Sequence, residues 1–212
     1  MTLFSIGHSN LEADQFITHL QQHGVTALAD VRSHPQSRFL PHFNRTMLHK
    51  LLVDAGIHYV FLGQELGARP EDPGCYQGGK AVYERIAATE RFKLGLQRLR
   101  RGLERHEVAI MCAEQDPLTC HRAILVCQQF RRESFPIYHI LKTGELESHF
   151  DLENRMLDRY QFSYREQMPP PLSQLSLLVS EQPLRSREEC LQEAYRLHGE
   201  QVAYIEPEVL SA

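Results

Sequence analysis

No apolar run in this chain approaches the roughly 20 residues that a helix needs to cross a bilayer, which argues against a membrane-spanning protein. The first ten residues, MTLFSIGHSN, carry no basic region and only a short apolar run, so no secretory signal is expected and a cytoplasmic location is. Neither sign of charge dominates. With 23 Lys+Arg against 27 Asp+Glu, the net charge is -4, which gives no global reason to expect a nucleic-acid or membrane partner and leaves only local patches open. Cysteines are few and odd in number, at positions 75, 112, 120, 127 and 190, and without a signal peptide they read as reduced thiols. Also missing are an internal repeat, a low-complexity tract, the dinucleotide fingerprint G-x-G-x-x-G and the phosphate loop G-x-x-x-x-G-K-[ST]. Cys112 has leucine where a cysteine phosphatase needs arginine. The C-x7-C spacing of Cys112 and Cys120, followed by one histidine, is no recognised zinc pattern. No metal and no cofactor is therefore expected.

What is present is an alternation. Short β-type runs, LFSIGHS (3–9), ALADVRS (27–33), HYVFLG (58–63), VAIMCAE (108–114) and PIYHIL (136–141), are separated by stretches with helical periodicity. Leu11, Phe16 and Leu20 fit one helix face, Met47, Leu48, Leu51 and Leu52 a second, and Ile124, Leu125 and Phe130 a third. The stretch 81–105 puts Phe92, Leu96, Leu99 and Leu103 on one stripe, with Arg91, Arg98, Arg101 and Arg105 beside it. The arginines read as a solvated flank, with a phosphate-tracking face as the alternative. The pattern predicts an α/β three-layer sandwich, a mostly parallel Rossmann-like sheet of about five strands with helices on both faces. This domain would occupy 1–160. A proline-rich linker, MPPPLSQ (168–174), and a helix over 187–205 would form an extension, 161–212, which either docks on the core or pairs two subunits as a homodimer.

In a parallel sheet, ligands bind at the carboxyl ends of the strands, and here those ends carry the chemistry. The first strand ends in His8, Ser9 and Asn10, with Asn10 read as a helix cap and His8 and Ser9 as ligand-facing groups. The second ends in Asp30 and Arg32, which share one side of an extended chain. They form either an internal ion pair or a base and an anion fork. Ser37 and Arg38 suit a phosphate or carboxylate, and Asn44 reads as the cap of the next helix. The long connection 67–80 holds four glycines, with Tyr76 as its one aromatic residue, and reads as a binding loop or as disorder. The fourth strand delivers Cys112 and Glu114. Asp116 or Thr119 then starts a helix with Cys120, His121 and Arg122 in its first turn. Arginine there opposes the helix dipole, so it calls for an anion: Glu114, Asp116 or a ligand.

Taken together, SIGHSN, ADVRSHPQSR with FN following, the LG pair at 66–67, MCAE, CHR and YHI resemble the DUF488 family, in order over about residues 3–147. The resemblance implies a compact three-layer α/β fold. It implies motif positions at Gly7, His8, Ser9, Asp30, Arg32, Pro35, Ser37, Arg38, Asn44, Cys112, Glu114, Cys120, His121 and Arg122, and it supplies no activity. The leading expectation is an enzyme that binds a small anionic ligand, a phosphate-bearing nucleotide or nucleic acid. Glu114 or Asp30 would be acid or base, His8 or His121 would assist, and Ser9, Arg32, Ser37, Arg38, Tyr76, Cys120 and Arg122 would hold the ligand. The alternatives are a non-catalytic binding module and a thiol-redox protein using Cys112 and Cys120.

Overall fold

The computed structural model describes residues 1–164 and 185–207, so the proline-rich stretch 168–174 lies outside the described residues. A six-stranded sheet is built from β1 (Leu3–Gly7), β2 (Ala27–Asp30), β3 (His58–Phe61), β6 (Val108–Cys112), β7 (Ile137–Ile140) and β8 (Leu146–Ser148). Its spatial order is β3-β2-β6-β1-β7-β8. The first five in that order are parallel and β8 is antiparallel to β7. The five expected strands are all present, each shorter than its apolar run. The edge strand β8 is additional to those five. The run in β3 was expected to be buried, yet Val60 is 39% exposed, because β3 closes one edge of the sheet.

Alternation along each strand sorts the core into two layers. Phe4, Ile6, Leu28, Ala109, Met111 and Ile140 pack with Phe16 and Leu20 of α1 (Ala13–Gln22) and Leu48 and Leu52 of α2 (Arg45–Asp54). Leu3, Ala29, Val31, Val108, Ile110 and Cys112 face the other layer. That layer includes Phe92, Leu96, Leu99 and Leu103 of α5 (Glu90–Leu103), the apolar stripe predicted from the sequence. Thr89 interrupts the expected single helix. It ends α4 (Tyr83–Ala88) and caps α5 by accepting the Phe92 N–H at 3.2 Å. Two arginines of the flanking stripe are ion-paired, Arg91 with Glu71 and Arg98 with Glu65 of the short helix α3 (Gly63–Leu66).

The C-terminal helix α7 (Arg187–Val202) buries Cys190, Leu191, Ala194 and Tyr195 in the same core, beside α6 (His149–Arg159). The apolar face that suggested a dimer is thus used within the chain. The connection 67–80 is ordered. It contains the hairpin β4 (Tyr76–Gln77) and β5 (Lys80–Ala81), joined at Gly78 and Gly79 with φ of +55° and +72°. Two left-handed residues are what a tight hairpin turn requires, and glycine adopts them without a steric cost. The segment after α7 adds to this hairpin. Ala81 N–H donates to Tyr204 O at 2.9 Å and Glu206 N–H to Gly79 O at 2.9 Å. Among the described residues no helix is long and apolar enough to cross a membrane.

A buried polar chain ties the layers together. Ser5 Oγ lies 2.6 Å from His139 Nδ1, His139 Nε2 lies 3.0 Å from His149 Nδ1, and His149 Nε2 lies 2.9 Å from Tyr195 OH. Tyr195 OH donates to the Glu153 carboxylate at 3.2 Å. Since the carboxylate accepts, each upstream role follows: His149 donates from Nε2 to Tyr195, His139 donates from Nε2 to His149, and Ser5 donates to His139. Both imidazoles are neutral in this arrangement. Burial holds the His149 pKa down to about 4, and burial, followed by the repulsion that two adjacent imidazolium charges would meet, holds His139 well below the ordinary value.

Depressed histidine pKa values mean that the unfolded chain takes up protons first as pH falls. Stability is therefore full above about pH 6.5 and is lost as pH drops toward 4, with a slope of up to about 1.4 kcal/mol per pH unit per histidine. Urea unfolding at pH 7, 6 and 5 measures this, and equal stability at pH 7 and 5 would contradict the neutral chain.

Candidate functional site

The register of β2, β6 and β1 aligns their carboxyl ends. Gly7 pairs with Cys112 and Asp30 with Met111. The chain continues upward together, with His8 N–H donating to Cys112 O at 2.9 Å, Ser9 N–H to Ala113 O at 2.8 Å and Val31 N–H to Met111 O at 3.1 Å. Above these ends lies a cavity of about 360 Å³ whose wall includes His8, Arg32, Ser37, Cys112, Glu114 and His121. The same wall contains Ser33, His34, Arg69, Tyr83, Thr119 and Tyr204, which the sequence reading did not assign to the site. Tyr204 carried no signal, because only the C-terminal pairing with β5 brings it here.

Several expected site residues have other duties. Asp30 is fully buried and not in the cavity wall. Its carboxylate accepts from Arg32 Nε at 2.9 Å, from the second Arg32 guanidinium nitrogen at 2.7 Å and from Tyr59 OH at 2.9 Å. A carboxylate so engaged positions Arg32 and has no lone pair aimed at a ligand. Arg38 is exposed and outside the wall. Ser9 lies outside it too, in left-handed backbone with φ +44°. Tyr76 gives its hydroxyl to Pro70 O at 2.9 Å. Asn10 caps nothing, since Glu12 precedes α1. Asn44 does precede α2, but its Oδ1 accepts the Ser37 N–H at 2.6 Å instead of a helix N–H.

His8 is buried and stacked on Phe43 at 4.3 Å between ring centres. Arg32 Nη1 can only donate, so His8 Nε2, 3.3 Å away, accepts, and the proton sits on Nδ1 facing Ser9 O at 3.0 Å. Burial and the Arg32 charge hold its pKa down to about 4, leaving it neutral at pH 7.

The stretch 112–122 does not form the expected α-helical first turn. Asp116 caps a single 3₁₀ turn, Pro117–Thr119, by accepting the Leu118 N–H at 3.0 Å, and a π-type turn follows at Arg122–Val126. Such turns rearrange helix backbone at functional sites. Arg122 has no solvent exposure. Neither Glu114 nor Asp116 pairs with it through a carboxylate. Its guanidinium donates to Glu114 O at 2.7 Å and Gln115 O at 3.0 Å, while Asp116 pairs with Arg155 at 2.9 Å. Gly7 makes room for this. A Cβ there would lie 1.7 Å from Glu114 O and 3.0 Å from the Arg122 guanidinium.

Around Arg122 the polar side chains converge. Cys120 Sγ accepts the Arg122 N–H at 3.4 Å and contacts Glu114 Oε2 at 3.0 Å. His121 Nδ1 lies 3.5 Å from Cys112 Sγ and 3.9 Å from Cys120 Sγ. Its Nε2 faces Val31 O at 3.1 Å, which requires a proton on Nε2. Burial alone would raise the Cys120 thiol. The Cys112 hydrogen bond, the Arg122 charge and His121 outweigh it and hold Cys120 well below the ordinary thiol range. Burial and the bond to Cys120 push Cys112 well above it. Glu114 is raised by burial of its carboxylate and by the Cys120 charge, even though the residue as a whole is exposed at the cavity mouth. His121 is raised by Cys120 against the pull of burial. One donor atom each from Cys112, Glu114, Cys120 and His121 lies within 4.8 Å of the others. The spacing of these residues had argued against a metal, but folding brings together what spacing keeps apart.

The family model for "Domain of unknown function DUF488" matches residues 12–128. The chain belongs to the DUF488 family. The match covers Asp30, Arg32, Cys112, Glu114, Cys120, His121 and Arg122 and is narrower than the 3–147 of the sequence resemblance, leaving Gly7 at the end of β1 and the following His8 and Ser9 outside it. Neither the curated proteins nor the solved structures contain a match to this chain.

Arg122→Met removes a buried charge and leaves two carbonyls without donors, which costs about 3–5 kcal/mol. Urea unfolding of this DUF488 protein and its variant measures the loss. A change below about 1 kcal/mol would mean that Arg122 is not structural.

Proposed function

We propose that this protein is an enzyme of hydrolysis or group transfer acting on a small phosphate-bearing ligand, a nucleotide being the class that fits best. One observation carries the reading: among the described residues, Arg69 is in no ion pair and shares the cavity wall with Glu114, the one carboxylate found there. Arg69 stacks on the Tyr204 ring at 4.2 Å, which keeps its guanidinium at the cavity while leaving its donors open. Ser33, His34 and Ser37 lie in the same wall, so hydroxyl and imidazole groups would complete an anion cradle. Tyr83 and Tyr204 supply aromatic faces for a base.

In this reading Glu114 takes a proton from the attacking water or acceptor hydroxyl as the new bond forms, and the leaving group departs with that proton. Arg32, held by Asp30, stays fixed in the wall and adds positive potential. Neutral His8 orients polar groups by hydrogen bonding.

Thermal shift with inorganic phosphate and nucleoside mono-, di- and triphosphates is the test of binding, and phosphorus NMR of the same mixtures is the test of turnover. Arg69→Ala should weaken binding by about tenfold or more, the loss of one charge-assisted contact. Glu114→Gln should spare binding and reduce turnover by about 10²–10⁴-fold. Saturable binding with no product from the unmodified protein would support the non-catalytic binding module instead, and no binding would remove the pocket reading.

A further inference from the structure

We infer that Cys112, Cys120 and His121 form a binding site for a zinc-class divalent cation, with its open coordination position facing the cavity beside Glu114. Three independent features of the geometry lead there. The first is spacing. Around a tetrahedral zinc with Zn–S of about 2.3 Å and Zn–N of about 2.0–2.1 Å, sulfur and nitrogen ligands sit about 3.5–3.6 Å apart. His121 Nδ1 lies 3.5 Å from one sulfur and 3.9 Å from the other, within a few tenths of an ångström of those separations, and all the donor atoms lie within 4.8 Å of one another.

The second feature is the orientation of the imidazole. A metal-binding histidine usually gives its other N–H to a carbonyl or carboxylate, which fixes the tautomer. His121 does this with Val31 O at 3.1 Å, and the nitrogen it leaves for a ligand points at both sulfurs.

The third is charge. Arg122 is a fully buried cation whose guanidinium donates to two backbone carbonyls and pairs with no carboxylate among the described residues, and its own N–H points at Cys120 Sγ. A buried cation without a carboxylate partner favours anionic sulfur nearby. Two thiolates and a divalent ion sum to zero, so the site would bury a neutral cluster beside Arg122. Soft thiolate ligands with one imidazole select zinc over magnesium or calcium, which take oxygen.

Access is provided by the cavity, since Cys112, Glu114 and His121 all line it. Glu114 Oε2, 3.0 Å from Cys120 Sγ, then stands at the open corner, where it can hydrogen-bond a metal-bound water. Only this placement of Glu114 rests on the acid–base reading above. The three-ligand site does not.

The test uses the full chain under reducing conditions, loaded with Zn(II), dialysed against metal-free buffer and assayed for zinc by atomic emission. A Co(II)-loaded sample is examined for sulfur-to-cobalt charge-transfer absorption. The unmodified protein should retain about one zinc per chain and show the sulfur–cobalt band. Cys120→Ser and His121→Ala should each weaken zinc binding by more than about tenfold. Cys127→Ser, in the same core but outside the cluster, should leave it unchanged. Circular dichroism checks that the variants fold. The cobalt spectrum of the unmodified protein decides the question if they do not. A chain that retains no zinc, or binds cobalt without the sulfur band, overturns the site. So does a folded Cys120→Ser that keeps its zinc. Zinc binding without any phosphate or nucleotide binding would leave the metal site standing and remove the enzyme reading, and the reverse result would do the opposite.

Discussion

The candidate site depends on one buried cation. Arg122 is fully enclosed, and a guanidinium in that position must find acceptors inside the protein. It finds the carbonyls of Glu114 and Gln115, and so it bends the chain after β6 back over the ends of β1 and β6. That bend places Cys112, Glu114, Cys120 and His121 around one point. Without it, residues 113–121 would be an ordinary loop between a strand and a helix. Gly7 is a condition of the same packing, because any side chain there would run into the carbonyl that Arg122 holds.

The surrounding structure supports this centre from both sides. On one side, the Asp30–Arg32 pair and the Phe43–His8 stack fix the cavity wall above β2 and β1. On the other, the chain from Ser5 through His139, His149 and Tyr195 to Glu153 joins the sheet to α6 and α7. Glu153 is in turn held by Arg131 at 2.8 Å and Arg187 at 3.0 Å. Buried polar networks of this kind make a fold rigid at the cost of sensitivity to protonation. The C-terminal segment contributes more than a dock for α7, since its pairing with β5 brings Tyr204 to the cavity beside Arg69.

Much of the architecture was legible because it rests on local periodicity. The apolar strand runs, the stripe of Phe92, Leu96, Leu99 and Leu103, and the gathering of polar residues at strand ends all follow from side-chain direction along a strand or helix. Within the site, the motif residues were found by type, but their roles turned on partners distant in sequence. Arg32 could be read as an anion fork until Tyr59 and Phe43 were seen to complete its pairing with Asp30. Asn44 looked like a cap, and it takes the N–H of Ser37 instead. His121 gave no sign of its alignment, because Val31 lies 90 residues away. The sulfur–imidazole cluster is likewise a product of the chain reversal that Arg122 holds through the Glu114 and Gln115 carbonyls, which no composition rule anticipates.

Hydrogen exchange, followed by mass spectrometry on peptides spanning 113–122 and 108–112, tests the central claim most directly. If Arg122 fixes this segment as part of the core, its amides exchange as slowly as those of β6, through global unfolding. Exchange at the rate of an ordinary surface loop would show that the segment opens locally, and that Arg122 does not organise the site.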